Sequence, residues 1–353
     1  MILQQLRTRR HFEKKINKDE FFEVPTVKKL IFSVYFYIMK ETTEIREFFV
    51  KSGQYQGTVL LNEPVAQKTT FKIGGTAPLY FEPENTDSLL FTLETLCKNK
   101  IQFFILGGGS NIVVSDDGFD GAVISTSRLN DIKFRLVSGS SAEVTCLSGT
   151  PTARLVSYCT QNCLSGIEKF AGLPGSIGGA LFMNARCFDL SISGLLKSAE
   201  YIDLKTMSTV HYDFCENDWD YKCSPFQCGE KILTSATFTL EKKHSDELER
   251  IAAECRRYVN ERVQKGHFKY PSAGSVFKNN RDFGEPSGKL IDECGLCGKR
   301  IGGAQIAPWH GNFIVNTDNA TQKDVRALVD LAVRTVQEKK GFLLQPEIIF
   351  CGK

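Results

Sequence analysis

The amino-acid sequence predicts an α+β protein with more than one domain. Its 353 residues exceed the size of an average domain, and segments with strand and helix patterns follow one another along the chain. The composition is that of an ordinary globular protein, with 42% hydrophobic and 24% charged residues. The formal net charge of +3 is close to balanced, which argues against a nucleic acid as the partner.

Residues 1–50 are predicted to be an N-terminal extension that is untranslated or disordered, with Met39 as an alternative start. The apolar stretch Leu30–Met39 is about half as long as a helix that spans a bilayer. The KETTEIRE that follows is not a signal-peptide cleavage site. We therefore expect no membrane insertion and a cytoplasmic location.

The N-terminal half of the remaining chain is rich in strand patterns. In order, it predicts two β-runs in residues 69–83, a helix capped by Asn85 or Thr86, a strand at 101–106, a glycine turn at 107–111, a strand at 112–115, and sheet over 121–150. The β-runs are separated by Gly74 and Gly75.

The C-terminal half mixes both element types. It predicts a helix at 151–163, a glycine-dense segment at 171–184, strands around 199–213 and 231–240, a helix at 246–263, a helix from 321, and a last strand at 342–350. The glycines of 171–184 are too frequent for a helix or strand, so tight turns are expected there. Thr321 and Asp324 form a capping-box pattern, and Gly341 is the expected stop. A domain boundary is placed at the start of helix 246–263.

Twelve cysteines in a long chain without a secretion signal favour free thiols. Cys294 and Cys297 have the CxxC spacing of a redox or zinc motif, but no second CxxC or histidine pair lies nearby. Two ordinary thiols are the simpler interpretation, and no metal is expected.

Two glycine loops, GGGSN at 107–111 and GLPGSIGG at 172–179, are candidate phosphate cradles. Backbone N–H groups bind phosphate where absent side chains let the chain approach. Neither loop matches GxGxxG or the GK[ST] of a P-loop, and ordinary tight turns are the alternative. The presence of two loops, one directly after a buried strand, favours a diphosphate such as that of FAD or a nucleotide sugar. Ser110 and Asn111 would add side-chain donors.

Three residues near the C-terminus are candidates for chemistry. Ser275 lies among small residues in YPSAGSVFKN but lacks the GxSxG elbow, so a turn serine is the alternative. Glu347 lies in the apolar segment LLQPEIIF, where a carboxylate is costly unless it is paired, functional or directed outward. His310 lies at a loop-to-strand junction and could equally be a surface histidine.

The chain resembles the UDP-N-acetylenolpyruvoylglucosamine reductase family from about Thr69 to Gly352. The resemblance is carried, in the family's order, by TTFKIGG, LGGGSN, AGLPGSIGGALFMN, YPSAGSVFKN, GKLIDECGL, HGNFIVN and PEIIF. It implies a two-lobed FAD-binding domain of the vanillyl-alcohol oxidase (PCMH) type plus a C-terminal α/β substrate domain. The implied bounds are 51–120 for the first FAD lobe, 121–243 for the second, and 244–353 for the substrate domain.

The resemblance also implies roles for residues. Ser275 would donate a proton, Glu347 would stabilise the intermediate, and Lys222 would take the place of the family's carboxylate-binding arginine. The substrate would contact Tyr221, Lys265, Asn279 and His310. Non-covalent FAD would be bound by Gly107, Gly108, Gly109, Ser110, Asn111, Gly172, Pro174, Gly175, Ser176, Gly178, Gly179 and Asn184.

Two departures from the family pattern stand out. DYKCSPF has Lys222 where the family's YRxS motif has arginine, so the planar bidentate fork is lost. NARCFD at 184–189 replaces NAGAYG, which brings Arg186 and Cys187 into a turn of small residues. The short QCGEK connection resembles that of the family's subtype that lacks an extra tyrosine-bearing loop over the substrate.

The implied function is NADPH-dependent reduction of UDP-N-acetylglucosamine enolpyruvate to UDP-N-acetylmuramate in peptidoglycan precursor synthesis, by a monomer. The alternative is a homologue that binds flavin or nucleotide sugar without catalysis. A flavin oxidase on the same fold is disfavoured because no histidine or cysteine attachment motif for covalent flavin is found.

Overall fold

The computed structural model describes residues 42–352. Residues 1–41, with the apolar stretch Leu30–Met39 and the alternative start, and Lys353 lie outside the described residues. Of the first compact unit, Met1–Glu47, the structure describes 42–47, which are helical. The second unit, Phe48–Lys353, contains the sheets, the cores and the cavity.

The first part of the second unit is a small sheet with one helix. Its elements are β1 (Gly57–Pro64), β2 (Thr76–Pro83), α1 (Thr86–Lys98), β3 (Phe103–Leu106), β4 (Ile112–Val114) and β5 (Ala122–Ser125). The sheet order is β1-β2-β5-β3, with β5 parallel to both neighbours. Helix α1 begins where predicted because the Asn85 side chain accepts a hydrogen bond from Ser88 N, and it buries Leu89, Leu93 and Leu96.

The predicted β-run before Gly74 is wrong. The Thr69 hydroxyl accepts a hydrogen bond of 3.1 Å from Lys72 N, and Lys72 adopts a φ of 58°. Local side-chain bonds of this kind compete with strand pairing. Phe71 and Ile73 are nevertheless buried, in the core of the C-terminal part.

The second part is built on a larger antiparallel sheet, ordered β12-β11-β13-β7-β6 with β8 against β13. Its elements are β6 (Ile132–Ser138), β7 (Ser141–Leu147), α2 (Thr152–Gln161), β8 (Leu164–Ser165), α3 (Ile177–Phe182), β9 (Arg186–Cys187), β10 (Leu190–Ser191), β11 (Leu196–Asp203), β12 (Ser208–Asp213) and β13 (Lys231–Lys242). Helix α2 and the strands near 199–213 and 231–240 confirm the sequence prediction. Leu155, Phe170 and Phe238 lie in the core of this part, fully buried.

The glycine-dense segment contains helix α3, so the prediction of turns alone is wrong. Ser176 caps this six-residue helix by accepting a hydrogen bond from Gly179 N. Ile177 and Leu181 are buried in the core of the second part. Their burial offsets the roughly 1 kcal/mol that each helical glycine costs.

The C-terminal part has a four-stranded sheet, ordered β14-β17-β16-β15. Its elements are α4 (Leu248–Gln264), β14 (Ser272–Ser275), α5 (Ser287–Glu293), β15 (Arg300–Ile301), β16 (Ala304–Ile306), β17 (Phe313–Asn316), α6 (Gln322–Lys340) and β18 (Ile349–Cys351). The capping box of Thr321 and Asp324 is present, and α6 ends at Gly341 with a φ of 76°. Helix α4 packs against the core of the second part, where Tyr258 is buried.

The last strand is shorter than predicted. Only Ile349–Cys351 forms a strand, which pairs in parallel with β4. Pro346 makes an isolated bridge with Phe277, and the proline ring removes the donor that a regular ladder would need. Glu347 therefore precedes the strand, and the prediction that it lies within one is wrong.

Candidate active site

A cavity of about 780 Å³ lies where the glycine loops face the C-terminal part of the second unit. This volume is within the range of small-molecule sites. Its wall includes Ser110, Asn111, Lys222, His310, Glu347 and residues of the segments 172–188 and 262–275.

The two glycine loops pack directly on each other. Gly108 N donates a hydrogen bond of 3.2 Å to Ser176 Oγ, and Ser110 Oγ donates one of 3.3 Å to Pro174 O. A Cβ on Gly108 would lie 2.4 Å from Gly175 Cα. The absence of side chains is therefore required by the contact between the loops themselves.

The predicted cofactor residues divide into two groups. Those in the cavity wall are Ser110, Asn111, Gly172, Pro174, Ser176 and Gly179. Those outside the wall are Gly107, Gly108, Gly109, Gly175, Gly178 and Asn184. The second group supports the wall: a Cβ on Gly107 would lie 2.6 Å from Ser176 Oγ, and one on Gly109 would lie 2.5 Å from Lys68 O.

Lys222 reaches the cavity from a tight turn. Asp220 and Cys223 form an isolated bridge around it, and Lys222 has a φ of 58°. The Asn184 amide donates a hydrogen bond of 2.8 Å to Asp220 O, and Ser224 Oγ donates one of 2.8 Å to Phe182 O. The glycine-dense segment thus supports the turn that presents Lys222.

Lys222 and Glu347 form an ion pair, with 2.6 Å between Nζ and Oε1 and side chains only 13% and 9% exposed. Glu347 N donates to Val276 O at 2.7 Å. The Asn111 amide donates to Glu347 O at 3.2 Å, and Ile349 N donates to Asn111 O at 3.0 Å. These bonds tie the carboxylate segment to the first glycine loop.

Ser275 ends β14, opposite Phe313 of β17, and lies in the cavity wall. It is adjacent to Val276, whose carbonyl accepts the Glu347 backbone bond. Within the part of the chain that the structure describes, no hydrogen bond involves the Ser275 hydroxyl. A Cβ on the preceding Gly274 would meet nothing within 4 Å apart from its chain neighbours, so the space beside Gly274 is open.

Of the four residues predicted to contact the substrate, Lys265, Asn279 and His310 line the cavity. Tyr221 lies outside the wall, and its hydroxyl accepts a hydrogen bond of 3.3 Å from Asn279 N. The structure therefore brings three of the four to the cavity and places Tyr221 behind Asn279.

Arg262 is a wall residue that the sequence interpretation missed. It is 8% exposed and donates to Ala171 O at 3.0 Å and Lys169 O at 3.3 Å. No carboxylate of residues 42–352 pairs with it. The sequence does indicate that Arg262 faces inward, because it follows Tyr258 by four residues and so continues the apolar stripe of α4.

His267 is a second wall residue that was missed. Its ring stacks on Phe313 with 4.8 Å between centroids. Burial, followed by the cations of Arg262 and Lys265, lowers its pKa to about 4. Burial is also the main cause that lowers the pKa of His310. Both imidazoles are therefore neutral at neutral pH.

The departure NARCFD lies in the cavity wall. Arg186, Cys187 and Phe188 all line it. Phe188 has a φ of 57° and packs on Tyr258 with 4.5 Å between ring centroids. Burial raises the pKa of the Cys187 thiol, so this sulfur is an uncharged part of the wall.

The charges of the wall fit a ligand with several negative charges. Among residues 42–352 its one carboxylate is Glu347, and its cations are Arg186, Lys222, Arg262, Lys265 and Lys269. Gly179 also leaves room for a ligand, because a Cβ there would meet only Ser176 Oγ, at 3.5 Å. Open backbone and clustered cations are what a dinucleotide with a diphosphate requires, so the residues present fit FAD.

The remaining sequence motif, CxxC, lies away from this wall. Cys294 is buried in the C-terminal core, and burial raises the pKa of Cys297 to about 12. Residues 42–352 contain no group of three His, Cys, Asp or Glu side chains that could hold a metal ion. Over the same range, no helix is both long enough and apolar enough to cross a membrane.

Comparisons with known proteins match both halves of the chain. A model described as FAD binding domain matches residues 77–203. A model described as UDP-N-acetylenolpyruvoylglucosamine reductase, C-terminal domain, matches residues 266–351. Both matches lie within the described residues, and together they include both glycine loops, Ser275 and Glu347.

Whole-chain relatives carry the same description. UDP-N-acetylenolpyruvoylglucosamine reductase of Treponema denticola is 47% identical over 308 residues, which cover 84% of this chain and 94% of the relative. The protein of that name from Borreliella burgdorferi is 38% identical, covering 82% of this chain and 93% of the relative. The crystal structure of UDP-N-acetylenolpyruvylglucosamine reductase from Thermus caldophilus is similar with a TM-score of 0.66 and 31% identity, covering 84% of this chain and 99% of that one.

Proposed function

The chain belongs to the UDP-N-acetylenolpyruvoylglucosamine reductase family, and on that basis we propose that it reduces UDP-N-acetylglucosamine enolpyruvate to UDP-N-acetylmuramate with NADPH. It is an FAD-dependent oxidoreductase, with an FAD-binding domain followed by the family's C-terminal domain, as predicted. The observation that carries the proposal is the Lys222–Glu347 ion pair beside Ser275 in a cation-rich wall.

FAD would be held by the wall residues of the two glycine loops. Ser110 and Asn111 offer side-chain donors from the first loop, and Gly172, Ser176 and Gly179 line the wall from the second. When bound, FAD supplies hydride transfer between NADPH and the enolpyruvyl carbon. The glycines behind the wall, such as Gly108, keep the two loops in contact.

Lys222 binds the substrate carboxylate. An ammonium group has three donors, so Lys222 can keep one on Glu347 and offer another to the substrate. Hydride addition at C3 of the enolpyruvyl group moves negative charge toward that carboxylate, and a cation beside it stabilises the charge. Glu347 holds the Lys222 ammonium in place beside the substrate carboxylate, an orientation that lysine, which lacks the planar fork of arginine, does not fix by itself.

Ser275 donates the proton that C2 then requires. In the described structure its hydroxyl has no protein partner, and Ser275 lines the cavity. The cations of the wall stabilise the serine alkoxide that forms. Glu347 contributes to stabilising the intermediate through its ion pair with Lys222.

The remaining roles follow from position in the wall. Lys265, Asn279 and His310 contact the nucleotide sugar, and Tyr221 acts by holding the Asn279 backbone. Residues 51–120 and 121–243 serve FAD, and 244–353 serve the substrate. The enzyme works as a monomer in the cytoplasm, where its product supports cell wall synthesis, cell shape and cell division.

The test uses the purified holoprotein. The flavin spectrum should bleach with NADPH and recover when the enolpyruvyl substrate is added. Ser275→Ala should still bleach with NADPH, whereas its turnover falls by about 10²- to 10⁴-fold, the usual effect of removing an acid catalyst. Ser208→Ala, an exposed serine of β12, is the matched control and should keep wild-type turnover.

Two results would contradict the proposal. A wild-type protein that binds no flavin is not this reductase. A wild-type protein that bleaches with NADPH but never reoxidises with the substrate supports the rival, a binding homologue without catalysis. In that second case Lys222→Arg, which restores the planar fork, should create turnover if the lysine is the cause.

A further inference from the structure

Phe268 is an exposed aromatic residue of the cavity wall. It is 51% exposed. The other exposed aromatic residues of the wall are occupied, since Phe188 packs on Tyr258 at 4.5 Å and Tyr270 stacks on Trp309 at 6.1 Å. Among residues 42–352, no aromatic ring or cation contacts the Phe268 ring.

The residues on both sides of Phe268 are fixed. His267 stacks on Phe313 at 4.8 Å, and Lys269 Nζ lies 4.6 Å from the centroid of the Trp309 ring. Gly266 has a φ of 75°, and a Cβ on it would lie 2.4 Å from Trp309 Nε1. The backbone beside Phe268 is thus held against the C-terminal part, which keeps this residue at the cavity wall.

Two cations accompany the free ring. Lys265 and Lys269 lie in the same turn and also line the cavity, and no ion pair engages either side chain in the described part of the chain. An open aromatic face with ammonium groups nearby is the chemistry that binds a nucleoside diphosphate, with the base on the ring and the phosphates on the cations.

We propose that Phe268 stacks on the pyrimidine base of the uridine diphosphate portion of the substrate. The inference rests on the proposed function, because it takes the substrate to be a uridine nucleotide. Phe268 thereby binds the nucleotide end of the substrate, whereas Lys222 binds its carboxylate. Stacking of one base on an aromatic side chain contributes about 1–3 kcal/mol.

The experiment measures binding of uridine diphosphate to the flavin-loaded protein by titration calorimetry. Phe268→Ala should raise Kd about 5- to 150-fold, which is 1–3 kcal/mol converted to affinity, and Phe268→Tyr should restore it. Val263→Ala, which trims another exposed apolar residue outside the wall, should leave Kd unchanged. Inorganic pyrophosphate, which has no base, should bind wild type and Phe268→Ala equally.

The outcomes separate the two proposals. If wild type binds uridine diphosphate and Phe268→Ala binds it equally well, the stacking role is refuted and the reductase proposal stands. If Phe268→Ala weakens NADPH but not uridine diphosphate, the ring serves the adenine or nicotinamide base and the inference is also refuted. If wild type binds no uridine diphosphate and does not turn over the enolpyruvyl substrate, both proposals fail. Equal flavin content in all variants shows that they are folded.

Discussion

Replacing Lys222 should destabilise the fold, and replacing its partner as well should repair it. The two side chains are 13% and 9% exposed and 2.6 Å apart. Lys222→Met leaves Glu347 as an unpaired buried carboxylate, which costs about 3–5 kcal/mol. Adding Glu347→Gln removes that charge, and neutral replacements of buried pairs are often as stable as the original. The expected coupling is therefore about 3 kcal/mol or more.

The assay is urea unfolding of the holoprotein, followed by tryptophan fluorescence, for wild type, both single variants and the double variant. Lys133→Met is the matched control, because Lys133 and its partner Asp131 are 81% and 58% exposed and such surface pairs contribute little. Turnover with the enolpyruvyl substrate should be lost in the single variants and in the double variant alike. A stable but inactive double variant would show that the pair is kept for chemistry rather than for stability.

Additive losses in the double variant would refute this reasoning, because they would mean that the two side chains contribute independently. An unchanged unfolding midpoint in Lys222→Met would refute it as well, since it would mean that Glu347 is not buried as a charged group.

Two further predictions concern the glycine loops and the half-buried His267. Gly108→Ala should abolish flavin retention after gel filtration, because its Cβ would lie 2.4 Å from Gly175 Cα. Gly194→Ala is the control and should retain flavin, because the nearest atom to its Cβ would be Leu190 Cδ1 at 3.5 Å. Equal flavin content in the two variants would contradict the role of the loop contact. The pKa of His267 is about 4 rather than the ordinary 6.5, so the unfolded chain binds more protons between these values and stability is lost as pH falls through this window. His267→Phe keeps a ring on Phe313 and should flatten this pH dependence, measured as the midpoint of urea unfolding from pH 7 to pH 4. His211→Phe on the exposed strand β12 is the control and should not flatten it. An unaltered slope in His267→Phe would contradict the assignment of this pH dependence to His267.

Sequence patterns predicted those elements whose ends depend on neighbouring residues. Asn85 caps α1 and the Thr321–Asp324 box caps α6 because each side chain bonds the backbone three residues away. The errors have two kinds of cause: distant contacts form helix α3, whereas the local Thr69–Lys72 hydrogen bond and Pro346 prevent strands that were predicted. Helix α3 exists because its apolar residues are buried in the core of the second part, and residues 342–348 fail to form a strand although their apolar pattern favours one.

The candidate site shows the same division. Sequence surroundings brought Ser275 and Glu347 into consideration, and family resemblance added their roles and Lys222. The structure places all three in one cavity wall. Arg262 was missed because its partners, the carbonyls of Ala171 and Lys169, are some ninety residues away in the sequence. The need for a glycine at position 108 also depends on residues distant in the sequence. A Cβ there would collide with the backbone of the second glycine loop.

The bonds of Asn111 to Glu347 and Ile349 tie the end of the first glycine loop to the C-terminal segment of the chain. Asn111 is followed directly by β4, and β4 pairs with β18 from Ile112↔Ile349 onward. One residue inserted after Asn111 would shift that pairing by one position and reverse which side chains face the core. An insertion directly after Asn111 would therefore also affect the segment around Glu347, although some 235 residues separate the two.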